Sequence, residues 1–131
     1  MDLRLGGVAL ALSIGLTMSS TGLAHHSVTG QFDVSKPLSL TGIVSKVEWV
    51  NPHIYVHLDV TDQQGTVTTW AFETVPVAMA RRAGLTKESL MGDGERVTID
   101  GIAAKDATLR LGFVYKITFA DGRYVQLSAP R

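Results

Sequence analysis

All four histidines of the chain fall in two short stretches, His25 with His26 and His53 with His57. Imidazole is a common transition-metal ligand, and a terminal amine beside an imidazole suits copper. Gly22 and Ala24 occupy the −3 and −1 places of a signal-peptidase site, so processing after Ala24 makes His25 the expected N-terminal residue. Its amine and its ring can then chelate one ion together, and one more imidazole completes a three-nitrogen site. His53 is the expected third ligand, because it opens a strand directly behind a rigid Asn51-Pro52 turn. His26 and His57 are expected auxiliaries. His53 and His57 cannot close around one ion alone, since four residues of extended strand separate them by about 13 Å. The competing reading is structural: chain starts are often disordered, and His53 can hydrogen-bond its own turn.

A second candidate is the polar face of the same strand. Tyr55, His57 and Asp59, with Thr69 and Glu73 from the next strand, could form a surface for an envelope protein or a small ligand. A solvated sheet exterior is the alternative. This face has no lysine or arginine, and the chain balances 12 basic against 12 acidic residues. Nonspecific nucleic-acid binding needs released counterions and is not expected; nor is attraction to an anionic membrane surface. No phosphate-cradling glycine loop, nucleophile elbow or H-E-x-x-H motif occurs, so no catalytic residue is assigned and the chain is expected to bind rather than catalyse. Without cysteine there is neither a disulfide framework nor a thiolate metal site.

The elements that must position these groups read as β-structure. Leu38, Leu40, Gly42 and Val44 alternate with polar residues, and the apolar phase then moves to Val47 and Trp49. Such a phase change predicts a bulge or a strong bend. From His53 to Val60 the alternation is unbroken, with Ile54, Val56, Leu58 and Val60 on one face and His53, Tyr55, His57 and Asp59 on the other. Gln63-Gln64-Gly65 predicts a hairpin loop with Gly65 left-handed, which places Leu58 opposite Trp70, Val56 opposite Phe72, His57 opposite Ala71 and Tyr55 opposite Glu73. One short helix is expected between Pro76 and Gly84, with a further turn capped by Thr86. Two more strands follow around Val97 to Ile99 and Phe113 to Phe119, and Asp121-Gly122 turns into a short one at Tyr124 to Leu127. Trp70, Phe72, Phe113 and Phe119 are expected in the core. The order predicts an all-β domain with one short helix, a small OB-fold-like Greek-key barrel; an open sandwich or another small barrel is the alternative.

The 131 residues suit one domain, and 45% hydrophobic content suits a folded one. Residues 1–24 read as a Sec signal peptide: Arg4, then an apolar run from Val8 to Leu16, then small and polar residues. That run is shorter than the roughly 18 residues a membrane span needs, so no stable anchor is expected after cleavage. The expected organisation is a signal peptide at 1–24, a polar arm at 25–37 and a β-barrel domain at 38–128, in a periplasmic or secreted protein.

Several segments carry a resemblance. Ala24-His25-His26-Ser27, Leu40-Thr41-Gly42, Trp49-Val50-Asn51-Pro52-His53, Thr69-Trp70 and Arg81-Arg82-Ala83-Gly84 resemble an uncharacterised group of secreted bacterial proteins, the domain of unknown function 6152. The resemblance covers nearly all of the chain after residue 24. It implies a periplasmic or secreted OB-like domain and carries no activity with it.

Overall fold

The structure is a computed structural model and describes residues 27–92 and 94–129. The proposed signal peptide, His25 and His26 lie outside them. Six strands and three short helices follow in the order α1 (Val28–Gln31), β1 (Phe32–Glu48), β2 (Tyr55–Thr61), β3 (Val67–Glu73), α2 (Val77–Arg82), α3 (Lys87–Met91), β4 (Arg96–Ala104), β5 (Leu111–Phe119) and β6 (Tyr124–Gln126). The sheet order is β3-β2-β1-β4-β5-β6, and a parallel contact between β3 and β5 closes the first five strands into a ring. The all-β class and the helical segment between the third and fourth strands are as the sequence predicts. Among the described residues no helix is long and apolar enough to cross a membrane.

β1 holds the ring together because it serves two neighbours. Its middle, from Pro37 to Ile43, pairs with β4, and its end, from Ile43 to Glu48, pairs with β2. The register slips between Val44 and Lys46, leaving Ser45 as the extra residue. This bulge is the one the apolar phase predicts, and it lets both Val44 and Val47 point inward, at 5% and 6% exposure. In β2 the alternation holds: Ile54, Val56 and Leu58 are fully buried, while His53, Tyr55, His57 and Asp59 are half-buried on the outer face. All four predicted β2–β3 partners are found. Gly65 is left-handed at φ 83°, and the Asp62 side chain accepts from the Gln64 and Thr66 amides to fix the turn.

Three expectations need correction. The first is α1, a short helix where only a polar arm is expected; α2 and α3 fall where the helix between Pro76 and Gly84 and the turn capped by Thr86 are expected. Pro76 caps α2 from just outside it, Gly84 follows it at φ 90°, and Thr86 and Ser89 form a reciprocal capping box on α3. The second is the arm. Residues 32–37 belong to β1 rather than to a free segment, because Phe32 is 1% exposed with its ring 5.6 Å from that of Phe113. The third is Trp70, which is only partly buried and packs against the main core from its edge, whereas Phe72, Phe113 and Phe119 are buried as expected. The main core gathers Val56, Leu58, Phe72, Val97, Ile99, Val114 and Ile117 among others. Phe113 and Tyr115, on the opposite face of β5 from Val114, join Phe32, Ile102 and Ala104 in a second cluster, over which Val28 of α1 packs. The start of the described chain is thus fastened across the outside of the ring.

Candidate functional site

The outer face of β1, β2 and β3 carries three polar groups, each built around one β2 side chain. The first contains His53, Tyr55 and Glu73. Antiparallel pairing sets Tyr55 against Glu73, and Thr74 donates its amide to the Ile54 carbonyl, which brings the end of β3 alongside His53. His53 Nδ1 lies 3.0 Å from the Thr74 carbonyl oxygen and 3.0 Å from Glu73 Oε1. The Tyr55 hydroxyl donates to Glu73 Oε2 at 3.0 Å. Glu73 is only 7% exposed, so both carboxyl oxygens are engaged inside a nearly dry pocket. Nε2 of His53 makes no hydrogen bond or ion pair among the described residues, and the side chain is about one-third exposed.

The second group is His57 with Glu48 and Lys46. His57 Nε2 lies 3.2 Å from Glu48 Oε1, which the Lys46 ammonium also contacts. The hydrogen bond and charge of Lys46, and then the contact with His57, hold the Glu48 carboxyl below its ordinary range. The third group centres on Asp59, whose Oδ1 accepts from Thr69 Oγ1 at 2.6 Å and Ser45 Oγ at 3.1 Å. It stitches β1, β2 and β3 together.

Of the residues singled out in the sequence, the structure therefore joins His53, Tyr55 and Glu73. It places His57 with a different carboxylate and gives Asp59 a cross-strand role. Among the described residues no three histidine, aspartate or glutamate side chains gather as a ready metal cage. Sequence reasoning missed Glu48, the Thr74 carbonyl and Lys46, whose ammonium puts a positive charge beside His57 on a face expected to hold no lysine. Glu48 faces Tyr55, and Lys46 faces His57, only because the Ser45 bulge shifts the register.

Burial, then the hydrogen bond to Glu73 and the charges of Glu73 and Glu48, push the Tyr55 hydroxyl up to about 12. A phenol raised above its unfolded value of roughly 10 favours the fold below pH 10, and that contribution is lost as pH rises toward 12. Chemical denaturation at pH 9, 10.5 and 12 is expected to show stability falling across this window. Tyr55→Phe should flatten the fall; an equal fall in the variant would mean that other groups cause it.

The site defines a class: a small ring of β-strands bearing, on its outer face, a histidine oriented by a buried carboxyl group. The chain belongs to the family of unknown function DUF6152, whose model matches residues 14–112. No curated protein and no solved structure matches it.

Proposed function

We propose that the processed chain is a periplasmic or secreted protein that binds one copper ion. Its ligands are His53 Nε2 and the amine and ring of His25, with His26 as an auxiliary. The observation that carries this reading is the orientation of His53. A metal-binding histidine characteristically gives its other ring nitrogen to a carboxylate or carbonyl, which fixes the tautomer and aims the free nitrogen outward. His53 Nδ1 faces both kinds of acceptor, and Nε2 has no hydrogen bond or ion pair among the described residues. The route of the chain supports it as well. Phe32 packs on Phe113, and Phe113 is the β5 partner of Glu73, the residue that holds His53. Val28 packs on the same cluster. The chain thus enters the fold on the flank of Glu73, and residues 25 and 26 add up to about 7 Å of reach beyond Ser27. His57 is left out of the ligand set, since its Nε2 faces Glu48.

The test uses exported protein whose intact mass confirms a start at His25. Copper(II) is titrated into the wild type, His53→Ala, and a form with one residue added before His25. The wild type is expected to bind one equivalent tightly, with a three-nitrogen electron-paramagnetic-resonance pattern. Both variants should bind more weakly by more than the roughly 10- to 100-fold that disturbing an outer-shell partner costs, since each removes a ligand. Equal, weak binding in all three would leave only incidental chelation. The strand face would then have to act without metal, on an envelope protein or small ligand.

A further inference from the structure

Glu73 is the one charged side chain that is buried among the described residues, at 7% exposure. It ends β3, and its two oxygens have different partners. Oε2 accepts from the Tyr55 hydroxyl at 3.0 Å, and Oε1 lies 3.0 Å from His53 Nδ1. Neither a lysine nor an arginine pairs with it among the described residues. The more exposed carboxylates Glu48 and Asp100, by contrast, have Lys46 and Lys116.

Taking a carboxylate out of water is costly unless positive charge compensates it. Tyr55 gives a hydrogen bond but no charge. Among the described residues, positive charge can reach Glu73 only through the His53 ring, which turns Nδ1 to the carboxylate while Nε2 makes no hydrogen bond or ion pair. The compensation grows with the charge delivered: a doubly charged ion on that ring gains about twice the attraction of a singly charged one at the same place. The supply of soft ligands points the same way. Cuprous copper favours sulfur, yet the chain has no cysteine, and Met79 and Met91 belong to α2 and α3 rather than to the strand face that carries His53.

We propose that Glu73 makes the His53 site selective for the charge of its ion, so that copper is taken in the doubly charged cupric state and the cuprous state is disfavoured. This inference rests on the copper reading above and deepens it. Glu73 then determines which oxidation state is bound, in addition to aiming the ring. Glu48 is not equivalent, because its side chain is 38% exposed and its charge is already met by Lys46.

Copper(II), and copper(I) kept reduced by ascorbate without oxygen, are titrated into processed wild type, Glu73→Gln and Glu48→Gln against chromophoric competing chelators. The wild type is expected to bind copper(II) at least about tenfold more tightly than copper(I). Glu73→Gln keeps the shape and removes the charge, and should lower that ratio by at least about tenfold. Glu48→Gln should leave it unchanged. Zinc(II) and silver(I), each of fixed charge, separate charge from redox chemistry: in Glu73→Gln zinc(II) should weaken along with copper(II), and silver(I) should follow copper(I). Equal affinities for the two copper ions in the wild type, an equal loss of both in Glu73→Gln, or the same change of ratio in Glu48→Gln would each overturn the inference while leaving the copper site in place. Only weak, incidental binding of both ions would overturn the copper reading and this inference together. The wild-type comparison stands even if Glu73→Gln folds poorly.

Discussion

Gly42→Ala is expected to cost about 3 kcal/mol of stability, at the upper end for forcing one extra carbon into a packed position. Gly42 is the last residue of β1 to pair with β4 alone; Ile43 next to it already pairs on both sides. β1 crosses β2 so closely at this point that a Cβ on Gly42 would run into the Asp59 carbonyl group, with the carbonyl carbon at 2.9 Å and Leu58 Cγ at 3.0 Å. The obstacle is main chain of a paired strand, which cannot rotate aside as a side chain can. For a domain of this size the loss should lower the melting temperature by roughly 15 °C. Gly65→Ala is the control: its Cβ meets nothing within 4 Å, and only the left-handed φ of 83° penalises it. That penalty is about 1 kcal/mol. Urea midpoints of the two variants decide the matter, and equal losses would show that the close approach at Gly42 is relieved by a shift of β2.

If the proposed copper site holds, Glu73→Gln is expected to weaken copper binding by about 10- to 100-fold without removing a ligand, the usual effect of disturbing the partner of a metal-bound imidazole. Glutamine fits the same space and can still receive the Tyr55 hydroxyl. Its amide offers His53 Nδ1 an uncharged oxygen or a competing N–H, so the ring is held less firmly and is a poorer base. On that proposal Glu73 is a positioning residue. Its signature is a weaker affinity with an unchanged number of coordinating nitrogens in the resonance spectrum, whereas His53→Ala should change that number. Unaltered affinity in Glu73→Gln would mean that the Thr74 carbonyl alone orients the ring.

The parts of this fold that are legible in the sequence are those set by local periodicity. The run from His53 to Val60 alternates strictly because one face of β2 is wholly buried, and a slip of one residue would expose Ile54, Val56 and Leu58 together. With Gly65 fixing the hairpin, the β2–β3 register follows, and with it the meeting of Tyr55 and Glu73. The Ser45 bulge shows as a change of apolar phase. Phe32 is different. It is a single aromatic among polar residues, and what buries it is Phe113, a partner far along the chain. No window around Phe32 contains that information, so residues 32–37 read as arm. The site was legible in the same uneven way. Its histidines and Glu73 stand out by type and by register. Glu48 and the Thr74 carbonyl do not, because the first depends on a bulge and the second on backbone geometry after the strand has ended.

The β3–β5 contact has a consequence for the order in which the molecule can be assembled. Only Ala71, Phe72 and Glu73 meet Leu111, Gly112 and Phe113, and this short parallel seam joins segments distant in sequence. The later part of β1 with β2 and β3 forms an antiparallel meander from near neighbours, whereas the seam must wait until β4 and β5 exist. In a chain that emerges from its N-terminal end, Tyr55 can find Glu73 early. The Phe113 side of that pocket, and the cluster that fastens Phe32 and Val28 beside it, arrives last. A chain cut short before Leu111 would thus retain the sequence of the His53–Glu73 meander while lacking the Phe113 cluster on which Phe32 and Val28 are fastened.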